Sequence, residues 1–227
     1  MKFFPKLTLL PIFISLIFSV NLHAAGDLKE PLHPYWSFEG PLGTFERASL
    51  QRGYQVYTEV CAGCHSMDYL SYRNLVEDGG PEFSEAQAKA MAAQFEVKDG
   101  PNEDGEMFLR PAILSDKFVS PWENEQQGRA ANGGAYPPDL SVMVKARPGG
   151  ADYLYSLLLG YEEPPSDMKL DDGVYYNIYA KGQKIAMPQL LYDGAVEYTD
   201  GTVSTPEQMA YDCLLYTSDA ADEIASV

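Results

Sequence analysis

This sequence predicts a mainly helical domain with long irregular connections, on three observations. Apolar residues recur at helical spacing through Leu50, Tyr54 and Tyr57 into Cys61. Helix-opening signals stand at Thr44, at Ser84 with Gln87 three residues on, and at Thr205-Pro206-Glu207-Gln208. The 16 prolines and 19 glycines among 227 residues assign much of the remainder to loop. That length suits one domain with a sizeable core, or a small domain carrying large insertions.

Taken in order, residues 1–25 read as a secretory signal peptide. Lys2 and Lys6 give a positive start, Leu7 to Val20 a short apolar run broken by Pro11, and Ala24 and Ala25 a cleavage site. The run is short for a membrane span, and few arginines and little serine argue against a transit peptide. Residues 26–43, rich in proline and aromatics, read as an ordered extended arm. A helix then starts at Phe45, capped by Thr44, and delivers Cys61. Gly53 lies beside its apolar stripe, where glycine either admits a second helix closely or is simply tolerated.

Residues 66–75 read as a short helix or turn. The helix opened by Ser84 should run to about Val97. Residues 99–106 are acidic and turn-forming, and an irregular stretch continues past Arg110-Pro111 to Gly134. Tyr136-Pro137-Pro138-Asp139-Leu140 is stiff, with φ fixed twice running, and suits one wall of a cofactor slot. Asp152 to Leu159 is a short apolar helix ending at Gly160. Gly173 to Tyr179 reads as a strand or extended wall. The terminal helix runs from Thr205 through Met209 and beyond, and should pack on the face carrying Gly53 and Tyr57.

The chemistry concentrates in Cys61-Ala62-Gly63-Cys64-His65. Cys-x-x-Cys-His is the c-type haem attachment signature. Two thiols one helical turn apart can add to haem vinyl groups as thioethers, and the adjacent imidazole can ligate iron. A redox disulfide would ordinarily sit in a βαβ context, which is not visible here. A structural zinc site needs four closely set ligands, and the chain has three cysteines and three histidines, with His23 in the leader. An apparently exported chain suits haem c, because the periplasm is where bacterial haem c is attached.

The other axial position decides between electron transfer and an open, reactive iron. No histidine follows His65, and a bis-histidine site would need His33. Met67 is too near the attachment site to reach the opposite face, while Met91 and Met209 fall in helices. Of Met143, Met168 and Met187, the favoured ligand is Met187, in a non-helical segment before Pro188 and the last helix. A net charge of −17 excludes nucleic-acid binding through a basic patch, and fits either a positively charged partner or mere solubility.

Longer stretches carry a resemblance. They include Trp36-Ser37-Phe38, Gly43-Thr44-Phe45-Glu46-Arg47, Gln51-Arg52-Gly53-Tyr54-Gln55-Val56-Tyr57 and Val60 to Ser66. Tyr72-Arg73-Asn74-Leu75, Asp99 to Glu106, Arg129-Ala130-Ala131-Asn132, Pro137 to Ser141 and Ile185-Ala186-Met187-Pro188 continue it. Over roughly 35–212 the chain resembles the cytochrome c1 family, the haem subunit of the cytochrome bc1 complex. The resemblance implies a class I cytochrome c-like haem domain with long loop insertions and one haem c. It implies an electron carrier, catalytic only within quinol–cytochrome c oxidoreductase. Such a subunit sits beside cytochrome b, accepts electrons from the Rieske iron–sulfur protein and passes them to a soluble or membrane-attached cytochrome c. Arg110 looks like the arginine paired with a haem propionate, and Tyr136, Pro137, Leu140 and Ile185 look like crevice walls.

The family continues into a C-terminal membrane anchor. Here the pattern is left after about Asp212, so residues 26–212 are expected as the haem domain and 213–227 as an atypical tail with Cys213 incidental. The expected location is the bacterial inner membrane with the haem domain on the periplasmic side, or the mitochondrial inner membrane facing the intermembrane space. The rival function is an exported haem c enzyme with an open iron, a peroxidase or reductase, which lacks a distal histidine after His65. A third is a haem storage or chaperone module.

Overall fold

The computed structural model describes residues 29–225; the expected leader lies outside them. Six helices and two small ribbons follow in the order α1 (Arg47–Val56), α2 (Glu85–Ala92), β1 (Glu96–Asp99), β2 (Phe108–Pro111), α3 (Glu125–Ala131), α4 (Met143–Ala146), α5 (Gly150–Leu159), β3 (Tyr175–Tyr176), β4 (Lys184–Ile185) and α6 (Pro206–Ala225). The mainly helical expectation holds, with each sheet a two-stranded antiparallel ribbon.

The crossing of α1 and α6 is the frame of the molecule. Gly53 sits at its centre: a Cβ there would lie 2.1 Å from the Asp212 carbonyl oxygen and 2.8 Å from Tyr216 Cβ. The close-approach reading of this glycine is therefore the right one, because no side chain fits between the two backbones. Leu50, Met209 and Leu215 are fully buried around the crossing. Side chains of this size contribute about 2 kcal/mol each when withdrawn from water. Beside them Arg52 reaches Asp212 through two bonds of 2.9 and 3.1 Å, and Asp200 at 2.8 Å. The Asp212 carboxylate is wholly enclosed, so this fork fixes the register in which the helices cross.

Nothing in the fold marks Asp212 as an end. Helix α6 passes through it, and Cys213, Leu214, Leu215 and Tyr216 are buried beyond it. The helix therefore runs through the position where the tail was expected to begin. Among the described residues no helix is long and apolar enough to cross a membrane.

Helix ends differ from expectation where side chains compete for the same backbone. The cap of α1 is Glu46, which accepts from Ser49 N, while Thr44 N is spent on Ser37 O in the arm. Ser84 and Gln87 form the expected capping box, but α2 ends at Ala92. Phe95 and Val97 leave it for the ribbon, with Val97 opposite Arg110. Glycine-ended α5 and the Thr205-capped α6 match their sequence signals. Helix α3, capped by Asn124, lies inside the stretch expected to be irregular.

The arm is ordered over residues 29–43. Trp36 is 1% exposed, stacks on Tyr211 at 5.0 Å and donates its indole N–H to Asp152 at 2.6 Å. It thereby ties the arm to both α5 and α6.

Candidate haem site

After Val56 the first helix widens into a π turn over Tyr57–Cys61, with Ala62 N donating to Tyr57 O at 2.7 Å. Such widened turns often mark functional positions. The Cys61 carbonyl then accepts from both Cys64 N at 3.0 Å and His65 N at 2.9 Å. One compact turn therefore presents two thiols and an imidazole. Both thiols are free, and Cys61 and Cys64 are not bonded to each other. Among the described residues no cluster of three or more His, Cys, Asp or Glu side chains could hold a metal ion, so the zinc reading has no ligand set.

The imidazole is oriented from its far side. His65 Nδ1–H donates to the Pro138 carbonyl at 2.7 Å, which leaves the lone pair on Nε2. Burial lowers the His65 pKa below its ordinary value, so the ring is neutral at neutral pH. A neutral imidazole with a fixed tautomer is the donor an iron requires. The donor set fits a covalently held haem.

Asp139, which the sequence reading left as part of a wall, is the clamp. Its Oδ2 accepts from Ser66 Oγ at 2.8 Å and Asp68 N at 2.7 Å, and its Oδ1 accepts from Ser141 N at 2.8 Å. Leu140 N donates to Ser66 O at 2.8 Å, and Tyr69 N to Ser141 Oγ at 3.2 Å. The residues after His65 are thus laced to Pro138–Ser141. An aspartate two residues before a serine is a legible Asx-turn signal, but its long-range partners are not.

Trp122 is the second residue that sequence reasoning missed. Its indole N–H donates to the Cys64 carbonyl at 2.9 Å, holding the peptide that leads into His65. Tyr136 lies beside it, and a Cβ on Gly128 would come within 2.7 Å of Tyr136 Cε2 and 3.1 Å of Trp122 Cδ1. Helix α3 carries a glycine at the one place where these two rings need room.

Of the expected residues, Cys61, Cys64 and His65 are brought together with Pro137, Leu140 and Tyr136. Pro137 and Leu140 are half-buried, and Tyr136 is more open. Met187 and Ile185 stand on a separate unit. Ile185 in β4 pairs with Tyr175, and Met187 follows in a bend, its carbonyl accepting from Tyr161 OH at 2.9 Å. Tyr161 follows α5, and Asn177 donates to Leu157 O in the same helix at 2.7 Å, so this unit is positioned by α5.

Arg110, expected beside a haem propionate, is engaged here by two carboxylates of the chain itself. It sits in β2, where Nη1 and Nη2 grip Asp116 at 2.6 and 3.0 Å, Nε is bonded to Asp99, and Nη1 also donates to Pro111 O. Guanidinium has five N–H donors, and four are engaged here. The bidentate face that a propionate would need is occupied by Asp116. Cys213 also has a definite place, its Sγ 3.9 Å from that of Cys61. That is a thiol–thiol hydrogen bond and not a disulfide, and the bond to Cys61 together with burial raises the Cys213 thiol pKa.

A sequence profile described as the Cytochrome C1 family matches residues 36–225. The chain belongs to the cytochrome c1 family. It is 51% identical over 199 residues to "Cytochrome c1 2, heme protein, mitochondrial" of Arabidopsis thaliana, covering 88% of this chain and 64% of that protein. It is 49% identical over 208 residues to "Cytochrome b-c1 complex catalytic subunit, mitochondrial" of Candida albicans, covering 90% and 71%. Against "Cytochrome b/c1" of Bradyrhizobium diazoefficiens it is 47% identical over 196 residues, covering 78% and 28%. The chain thus spans just under two thirds of the length of the Arabidopsis cytochrome c1 it matches.

Proposed function

We propose that this chain carries one haem c, joined through Cys61 and Cys64 and ligated by His65 and Met187. It relays single electrons within a quinol–cytochrome c oxidoreductase, taking them from the Rieske iron–sulfur protein and passing them to cytochrome c, with cytochrome b as a further neighbour. Membership of the cytochrome c1 family and the names of the relatives support this reading. The observation that carries it is the His65 ring, held by Pro138 O immediately after two free thiols.

When bound, the haem supplies a one-electron iron couple; the chain supplies position. His65 offers Nε2 because Nδ1–H is committed to a carbonyl. Asp139 and Trp122 hold the peptides on either side of that ring, so it turns little with oxidation state. Met187, in the bend after β4, would hold the iron through its thioether, and such a ligand would favour the reduced state. The chain is an electron carrier and acts in catalysis only through its complex. A net charge of −17 favours fast encounter with a basic acceptor, weakened by salt. The compartment is the bacterial periplasm or the mitochondrial intermembrane space, the plant and yeast relatives being mitochondrial by name.

The test is simple. Pigment of the purified protein should stay with the polypeptide through acid–acetone extraction, and its reduced form should take up no carbon monoxide. Released pigment, or ready carbon monoxide binding, would overturn the proposal.

A further inference from the structure

The ribbon that Arg110 staples has a second property, independent of the haem. Bonding of Ala112 N to Phe95 O at 2.9 Å sets the alternation of the antiparallel pair. Residues 97 and 99 then face 110 and 108 as hydrogen-bonded pairs. The N–H and C=O groups of Met107 and Leu109 therefore point away from β1, and among the described residues nothing pairs with them. The same edge is apolar and open: Met107 is 50%, Phe108 43%, Leu109 63% and Ile113 52% exposed. Residues 111–115 continue it into a groove of about 530 Å³, closed on the other side by Lys89 of α2 and Ala93 just after it.

A bare apolar edge is ordinarily a liability, and on the four-residue β2 the protection is partial: Pro111 removes one outward donor, while among the described residues Met107 and Leu109 keep their N–H and C=O groups unpaired. The loop at its end is acidic and built. Asn102 Oδ1 accepts from Asp104 N at 3.0 Å and Glu106 N at 2.9 Å, and Glu103, Asp104 and Glu106 are exposed without an ion-pair partner. Arg110, gripping Asp99 and Asp116, holds both strands in place before anything binds.

We propose that the outer edge of β2 receives an extended segment of another polypeptide. That segment adds as a third strand beside residues 107–109, ending where Pro111 offers no donor, sets apolar side chains against Leu109, Ile113 and the groove, and carries lysine or arginine where it passes Glu103, Asp104 and Glu106. The acidic loop selects the occupant. A second copy would bring another chain of net charge −17 to an edge that already ends in three unpaired carboxylates.

Amide hydrogen exchange at Met107 and Leu109 tests this on the full haem-loaded chain. The probe is a blocked peptide of about nine residues, an ordinary strand length, alternating valine and threonine and ending in lysines. Alone, at low concentration, both amides should exchange freely. The peptide should slow Leu109 exchange by about tenfold or more at saturation, as expected for an amide entering a ladder. A glutamate-ended peptide, or the variant E103Q/D104N/E106Q, should bind about tenfold more weakly at low salt. Leu109→Lys, an exposed change that leaves the haem spectrum as the check of folding, should abolish the protection. Absence of any protection, or protection indifferent to the charges, would overturn the proposal. So would protection in the chain alone: at all concentrations it means another segment of the same chain fills the edge, and only at high concentration it means a second copy does.

Discussion

His65 and Arg110 show how single side chains divide the work. The ring of His65 is committed to Pro138 O and free at Nε2, so its role follows from one bond. Arg110 is committed to Asp99 and Asp116, so its role is to hold the ribbon. Replacing it by leucine should leave the reduction potential unchanged while amides of residues 96–111 exchange faster. A shifted potential would return Arg110 to the haem. The motif was legible because its chemistry needs three residues at fixed spacing within five consecutive positions. The carboxylates that Arg110 meets were not legible, because they are chosen by ribbon register, not by any local pattern. Trp122 was missed for the same reason, its acceptor Cys64 lying 58 positions away.

At the scale of elements, signals carried within one turn were readable and those depending on a neighbour were not. Ser84 with Gln87, Thr205 with Pro206, and Gly160 after α5 fixed helix ends locally. Glu46 rather than Thr44 caps α1 because the helix starts at Arg47, where the Glu46 carboxylate reaches Ser49 N. Helix α3, Glu-Gln-Gln-Gly-Arg-Ala-Ala, has no apolar stripe to announce it. Gly53→Ala should force α1 and α6 apart at the Asp212 carbonyl, costing about 3 kcal/mol, and a denaturant midpoint close to the parent would contradict the crossing. The arm should respond to pH. His33 Nδ1 lies 2.7 Å from Asp152, with Glu39 at 3.7 Å, and the Asp152 hydrogen bond raises its pKa above the ordinary 6.5. A raised folded pKa means that the tether contributes fully below the unfolded value and is lost as pH climbs through the folded one. Exchange at residues 32–36 should therefore quicken from near neutrality upward, and His33→Gln should flatten that profile.

For the molecule as a whole, the crossing of α1 and α6 fixes the Cys61–His65 turn, α5 positions the loop of Met187, and the arm ties α5 to α6. Two units that share no local sequence thus supply the two proposed ligands. The decisive measurement is the reduction potential of the purified haem protein beside that of Met187→Ala. The expected result is a large fall with haem still attached, because a thioether ligand favours reduced iron. An unchanged potential would show that some other group holds the iron opposite His65.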